Sequence, residues 1–265
     1  MVWAAVLLLA TPGAVAAPCP APVLAFAPPL DAPIVLHRGI ERELADGLFV
    51  HEASYRLTFS RAGRGYRLHW QQLQERSDGP PALLRLLELQ ERSVAGESFD
   101  VTLDESGAVL GISESPESAG RLAAAIDRLR ADSALDARPA AQRAQIHALL
   151  DRLAALSPAE RLELQRARLE RPVMLAGRPC ASGQVQAAGG TIYRVLPESG
   201  DALQLSAAHE SVREATSGLA VTDAITLSRT TGLVTRFDRH TVTTVAGTAR
   251  HARESFRLES VPDAR

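Results

Sequence analysis

The two cysteines, Cys19 and Cys180, are the residues whose chemistry the sequence constrains most. Neither lies in a Cys-x-x-Cys motif, and neither has a histidine nearby in the chain that could activate a thiolate nucleophile. In an exported protein, two cysteines usually pair. We therefore predict a disulfide between Cys19 and Cys180, which would contribute on the order of 4 kcal/mol to stability in the chain-entropy model.

Two histidines, His51 and His209, lie on the apolar side of their predicted strands, and a glutamate follows each. Neither belongs to a His-Glu-x-x-His motif or to another ligand pair at helical spacing, so the sequence predicts no metal site and no cofactor. A hydrogen-bonded strand histidine is the ordinary interpretation of both. The alternative is that His51, His209 and nearby carboxylates form the dispersed site of an exported hydrolase.

Other catalytic patterns are incomplete or absent. The segment Gly96 to Asp100 comes nearest to Gly-x-Ser-x-Gly but lacks the second glycine. The chain has no lysine, which excludes Ser-Lys dyads and Schiff bases, and it has no P-loop and no Gly-x-Gly-x-x-Gly. No constellation specifies a reaction, so we expect a protein without catalytic activity, and no catalytic residue is predicted.

All 29 basic side chains are arginines, set against 31 acidic ones, with a net charge of -2. Because the two signs are interspersed, the sequence shows no electrostatic footprint for nucleic acid. One set of arginines is concentrated in the last strands. They either form the solvent face of an antiparallel sheet or meet an anionic head group or an acidic partner. These residues are Arg229, Arg236, Arg239, Arg250, Arg253 and Arg257.

The N-terminus has the order of a secretory signal: an apolar run over 2–10, then small residues up to Ala17. The sequence predicts a signal peptide over 1–16, cleaved after Ala16. The apolar run is shorter than the roughly 20 residues that span a bilayer, so a soluble periplasmic or secreted protein with no transmembrane segment is expected. The lead over 17–33 contains six prolines, which favours an extended surface segment.

Hydrophobic periodicity predicts where the strands and helices lie along the chain. Period-two alternation over 49–59 and 66–70 predicts a hairpin, and 99–112 predicts a second one. Between them, a helix is predicted over 81–91, although Leu84, Leu86 and Leu89 fit a strand almost as well. Three helices follow. The first is capped by Ser115, the second carries the apolar stripe 146–156, and the third opens with the capping box Ser157 to Glu160. Strand patterns return after Pro179.

These elements predict a single α+β domain over 34–265, built on a curved, mainly antiparallel sheet. Its two β halves, 34–113 and 173–265, flank a helical insertion over 114–172, whose helices, within about 116–171, pack on one face. The halves resemble each other. Tyr66 and Leu68 correspond to Leu203 and Leu205, and 101–109 corresponds to 225–234.

An apolar crevice between sheet and helices would follow from this plan. Its expected ligand-binding residues are Tyr55, Leu68, Trp70, His51 and His209. We expect the helical stripe 146–153 to cover the first hairpin at this crevice. The leading hypothesis is an exported envelope protein that binds a hydrophobic or amphiphilic ligand or a partner protein. The alternatives are the hydrolase described above and a purely structural docking module.

Overall fold

The computed structural model describes residues 25–80, 84, 98–114, 116–131, 133–136, 139–187, 189–196, 202–214 and 217–260. The predicted signal peptide and Cys19 lie outside these residues. So do the predicted N-cap Ser115 and, except for Leu84, the helix predicted over 81–91.

Twelve strands form one antiparallel sheet. Five precede the helices: β1 (Pro33–Leu44), β2 (Gly47–Ala62), β3 (Gly65–Asp78), β4 (Ser98–Leu103) and β5 (Val109–Glu114). Seven follow them: β6 (Cys180–Ala181), β7 (Gln184–Gln186), β8 (Ile192–Val195), β9 (Ala202–Glu214), β10 (Ser217–Ser228), β11 (Val234–Val245) and β12 (Thr248–Ser260). The predicted α+β class with a mainly antiparallel sheet is thus confirmed.

The sheet is open, with strand order β5-β4-β3-β2-β1-β12-β11-β10-β9-β8-β7-β6. The chain begins at the centre, moves strand by strand to one edge, and returns from the other edge to the centre. The first and last strands are therefore neighbours, paired from Ile34 with Ser260 to Arg42 with Ala252.

Between the two sets of strands, the described residues form four α-helices: α1 (Pro116–Arg130), α2 (Ser133–Asp136), α3 (Ala140–Ala155) and α4 (Pro158–Glu170). The predicted capping box at the start of α4 is confirmed. The Ser157 hydroxyl accepts the Glu160 N–H, and the Glu160 carboxylate accepts the Ser157 N–H at 2.8 Å. A short 3-10 helix, Arg171–Val173, continues α4 and ends the helical region.

The hydrophobic core lies on one face of the sheet, here called the inner face, which carries Leu57, Leu68, Leu205 and Ile225. Directly paired residues in neighbouring strands point to the same side, so this face continues across the sheet. The helical side of the core comes from the end of α4 and the residues after it. These include Leu169, Val173, Leu175 and Ala176.

The stripe 146–153 on α3 was expected to cover the first hairpin, and the structure differs. Leu150 is buried, but it does not belong to the cluster that contains Tyr55, Leu57 and Trp70. The closing elements are α4 and the 3-10 helix, which come directly before the strands of the second half. The helix nearest in sequence to those strands is best placed to fold back over the sheet.

The two strand-rich parts pair in equivalent register. Tyr66 pairs with Leu103 and Leu68 with Val101, while the corresponding residues Leu203 and Leu205 pair with Leu227 and Ile225. Both turns that follow contain a glycine with positive φ, at positions 107 and 232. This agreement supports the duplication, but the similarity of the halves and the curvature of the sheet stay predictions.

The proline-rich lead does not lie wholly on the surface. From residue 25 it is irregular, as expected, and only Leu30 forms a β-bridge, to Phe59. Phe26, however, is buried in the core, with its ring centroid 5.2 Å from that of Tyr66. Composition indicated the extended backbone, but it could not show that one large apolar side chain anchors the segment.

Candidate functional site

A band of charged side chains crosses the inner face beside the core. Glu254 on β12 is bonded by two arginines, Arg38 of β1 at 2.7 Å and Arg171 of the 3-10 helix at 2.6 Å. Burial raises the pKa of Glu254, but the two guanidinium groups outweigh it and hold the pKa below the ordinary value. Arg171 also lies over the ring of Phe237, 4.4 Å from its centroid.

The same band continues on β10 and β11 with a second carboxylate. Asp223 is buried and accepts two hydrogen bonds from Arg239, at 2.7 and 2.8 Å, in the bidentate geometry typical of arginine and carboxylate. The Tyr193 hydroxyl donates to Asp223 at 2.9 Å. Burial, and then the Asp223 charge, raise the pKa of Tyr193 well above its usual range. The phenol therefore stays neutral and acts as a donor.

Beyond this band, the inner face carries an apolar cavity at the edge of the sheet where β9 ends, β10 begins and β11 ends. We call it the end cavity, and its volume is about 380 Å³. Leu219 and Val245 are its large apolar side chains, and they are 38% and 60% exposed. None of the described lining residues is charged. These described lining residues are Ser211, Ser217, Gly218, Leu219, Thr243, Thr244 and Val245.

The structure separates the two histidines singled out in the sequence. His51 is buried on the inner face of β2, where its Nδ1 lies 3.0 Å from the Ser77 hydroxyl and its Nε2 lies 3.5 Å from Glu75. His209 is exposed on β9, with four strands between the two. At about 4.8 Å per strand, this separation is about 24 Å. The structure therefore does not bring His51 and His209 together on neighbouring strands.

The three apolar residues expected to bind ligand are core residues. Tyr55, Leu68 and Trp70 are at most 5% exposed and belong to the closed cluster under α4. Among the described residues, the buried Trp70 Nε1 has no hydrogen-bond partner, and the ring centroid of Tyr55 lies 5.5 Å from that of Trp70 in an edge-on contact. None of the three lines the end cavity. Their alternating pattern correctly indicated burial, but burial alone does not distinguish a core from a binding site.

Leu219 and Val245 are not among the residues predicted from the sequence. The available signal was the continuation of period-two alternation past Asp223 to Val221 and Leu219, beyond the reach of the helices. These positions stay exposed because β10 extends further than the helices that pack over the inner face. How far those helices reach along β10 depends on tertiary structure.

Cys19, one end of the predicted disulfide, lies outside the described residues. Cys180 is buried at the start of β6, the edge strand of the second half. Cys19 paired with Cys180 stays a prediction.

Within the described ranges, no three histidine, cysteine, aspartate or glutamate side chains form a group that could hold a metal ion. The helices in this part of the chain include none that is long and apolar enough to cross a membrane.

The chain has little similarity to known proteins in sequence. No protein-family model matches the chain, and no curated protein matches it in sequence. Among solved structures, a lipovitellin structure concerned with lipid–protein interactions is 8% identical, with a TM-score of 0.38 over 91% of this chain and 26% of that chain.

Two further structures are each 8% identical. DynF, from the dynemicin biosynthesis pathway of Micromonospora chersina, has a TM-score of 0.24 over 96% of this chain and 92% of that one. An outer membrane channel from Pseudomonas putida F1 has a TM-score of 0.18 over 94% and 100%. No TM-score reaches 0.5, so none of these likenesses supports an argument about function.

Proposed function

We propose that this protein is a non-catalytic binding protein that holds a hydrophobic or amphiphilic ligand in the end cavity. The observation that supports the proposal is a cavity of about 380 Å³ whose described lining carries no charge and includes the exposed Leu219 and Val245. Small-molecule sites commonly have volumes of about 300–1,000 Å³ and mostly apolar walls. Water gains little by filling such a space, whereas an apolar ligand would remove Leu219 and Val245 from solvent.

The charged band provides the polar end of the proposed site. Asp223 lies four residues from Leu219 on β10, and Arg239 lies four residues from Thr243 on β11. Four strand residues span about 14 Å, so a ligand with its tail in the end cavity could extend its polar head to Arg239. The Arg239 side chain is partly exposed and keeps N–H donors beyond the two that bond Asp223.

The test uses N-phenyl-1-naphthylamine, an uncharged probe whose fluorescence rises in apolar surroundings. We expect saturable binding to the wild-type protein and at least a tenfold loss of affinity in Leu219→Glu, because the new carboxylate lies in the apolar wall. Ile192→Glu is the matched control, since Ile192 is an exposed apolar strand residue outside the cavity. Equal binding by all three proteins, each with an unchanged circular dichroism spectrum, would refute the end cavity as the site.

Mass spectrometry of organic extracts of the purified protein addresses the ligand's identity. A co-purifying amphiphile that disappears in Leu219→Glu supports the proposal. If no small molecule co-purifies and the probe does not bind, the structural docking module becomes the better hypothesis.

Hydrolysis is a second candidate only at His51, because Ser77, His51 and Glu75 supply the residue types of a nucleophile, a base and an acid. Their burial argues against ready access of substrate. A fluorophosphonate probe that labels the wild-type protein but not Ser77→Ala would favour this candidate.

We also propose that the protein is exported to the periplasm or beyond, with cleavage after Ala16 and a disulfide between Cys19 and Cys180. The order of the first 17 residues supports the leader. N-terminal sequencing of the protein recovered from producing cells tests the cleavage. Thiol titration of the unfolded, unreduced protein tests the disulfide, and two free thiols would contradict it.

A further inference from the structure

The face of the sheet opposite the core, the outer face, contains a groove of about 840 Å³ at the centre of the sheet. It lies over β3, β2, β1, β12 and β11, where the first and last strands of the chain pair. We call it the outer groove. Its outward-facing lining is polar throughout and comprises His37, Gly39, Glu52, Ser54, Gln74, Arg76, Arg236, Asp238, Arg253, Ser255 and Arg257.

A single row of directly paired residues forms the floor. Arg76 pairs with Glu52, Glu52 with Gly39, Gly39 with Ser255, and Ser255 with Asp238. In the middle of this row, Gly39 has no side chain and leaves a gap between Glu52 and Ser255. These two flanking residues are two strand spacings apart, which is about 9.6 Å.

Backbone conformation does not require glycine at this position. Gly39 is absent from the residues with positive φ, and its register with both neighbouring strands is regular. A Cβ at Gly39 would lie 3.2 Å from the Ser255 hydroxyl, which is a tight contact with a small side chain. Glycine in a strand interior weakens the strand and often marks a place where a ligand approaches the backbone. The absence of a side chain at Gly39 therefore lowers the floor of the groove, and the Ser255 hydroxyl is the nearest side-chain atom to that position.

Arginines stand at both ends of the row. At one end, Asp238 holds two of them through different oxygens, Arg236 at 2.7 Å and Arg253 at 2.8 Å. Both arginine side chains are more than half exposed, and one carboxylate cannot neutralise two guanidinium groups. Asp238 positions this pair, and the neighbouring arginines lower its pKa despite burial, which raises it.

At the other end, Arg76 lies opposite Glu52 and makes no ion pair with a carboxylate of the described residues. The remaining arginine, Arg257, is bonded to Glu259 at 2.7 Å, so it adds little net charge. Within the lining, Arg76, Arg236 and Arg253 face two carboxylates, Glu52 and Asp238, while a third carboxylate, Glu41, lies opposite Arg253 outside the lining. The rest of the lining offers hydroxyl, amide and imidazole groups, which bind sugar or glycerol hydroxyls.

We propose that the outer groove binds a phosphorylated polyhydroxy group over Gly39, with Arg236 and Arg253 contacting one phosphate. Arginine matches phosphate through its planar fork of N–H donors. The row from Arg76 to Asp238 spans four strand spacings, about 19 Å, and long arginine side chains narrow this distance, so a molecule with two phosphates suits the groove best. This site lies on the opposite face from the end cavity and does not depend on the function proposed above.

The test is calorimetric titration of the full chain with fructose 1,6-bisphosphate, with fructose as the uncharged control. We expect binding of the bisphosphate and none of fructose. Arg253→Ala should weaken binding at least tenfold. Gly39→Val should also weaken it, because the side chain fills the gap. Arg194→Ala is the matched control, since Arg194 is an exposed strand arginine outside the groove, and it should bind like the wild type.

Vesicles distinguish a free phosphate ester from a lipid head group. Binding to phosphatidylglycerol vesicles that exceeds binding to phosphatidylcholine vesicles, and that Arg253→Ala abolishes, assigns the head group as the source. Failure to bind either the bisphosphate or the anionic vesicles would overturn the proposal. Equal weakening by Arg194→Ala and Arg253→Ala would also overturn it, because it would show attraction to net charge alone. Circular dichroism checks that each variant is folded. If Gly39→Val does not fold, the binding of Arg253→Ala decides the test.

Discussion

Glu254 shows, at the scale of one residue, how the inner face accommodates buried charge. Its carboxylate lies between Arg38 and Arg171, whose side chains are also mostly buried. Removing one member of a buried ionic group leaves an uncompensated charge, which costs more than the intact group contributes. The band therefore acts as a unit that joins β1, β12 and the 3-10 helix.

The pH dependence of stability should reflect Glu254. Because its folded pKa lies below the ordinary 4.5, it contributes stability above about pH 4.5, and this contribution disappears as pH falls through the lowered pKa. We expect Glu254→Gln to cost about 3 kcal/mol at pH 7 and to lose less stability on acidification than the wild type. Urea unfolding at pH 7 and pH 3 measures both.

Glu105→Gln is the control for this prediction. Glu105 forms a solvent-exposed pair with Arg64 at 3.2 Å, so its substitution should change stability by no more than about 0.5 kcal/mol at either pH. If the two variants behave alike, the charged band contributes nothing particular to stability.

At the scale of elements, the β11–β12 hairpin contains a strained turn. Val245 pairs with Thr248, and the two residues between them, Ala246 and Gly247, have φ values of 50° and 79°. This is the pattern of a type I′ turn, in which both central residues are left-handed. Glycine adopts that conformation freely, whereas alanine does not.

We expect Ala246→Gly to stabilise the protein by about 0.5–1 kcal/mol, because it relieves a left-handed alanine. Ala249→Gly, two residues after the turn in β12, should destabilise it by a similar amount, since there glycine only adds backbone freedom to a strand. Thermal unfolding of the two variants checks the opposite signs. Destabilisation by both would show that the turn stores no strain.

The predictable elements are those defined by local chemistry. Alternation identified β2, β3, β4 and β5, and the Ser157 capping box located the start of α4. The pairing of β1 with β12 was not predictable, because no local pattern links segments more than 200 residues apart. Three features depend on that long-range pairing: the position of α4 over the core, the separation of His51 from His209, and the gap over Gly39. For the same reason, the sequence predicted burial better than it predicted the candidate sites.

At the scale of the whole molecule, the lead segment joins the two halves. The N–H of Ala27 donates to Thr231 in the β10–β11 turn at 3.0 Å, while Phe26 lies against the β4–β5 turn. There, a Cβ at Gly107 would come within 2.6 Å of the Phe26 ring. Both turns therefore close around the same short segment.

We expect Phe26→Ala to cost about 3 kcal/mol, within the range for truncating a core aromatic residue. Leu30→Ala, in the same segment but 40% exposed, should cost less than about 1 kcal/mol. Equilibrium unfolding in urea measures both. Similar small losses would mean that the lead segment is only a tether, as its composition alone suggested.

The neighbouring positions of the first and last strands also affect folding kinetics. During synthesis, β1 to β5 can pair as a meander as they emerge, but β1 keeps one unpaired edge until β12 is complete. An unpaired strand edge recruits other chains, so the nascent protein is most prone to aggregate during this interval. The pairing of β1 with β12 closes the longest loop in the sheet and comes last, which also makes folding slow. A ribosome-bound chain that stops before Thr248 would therefore expose the middle of its sheet, and chaperone binding should be strongest at β1.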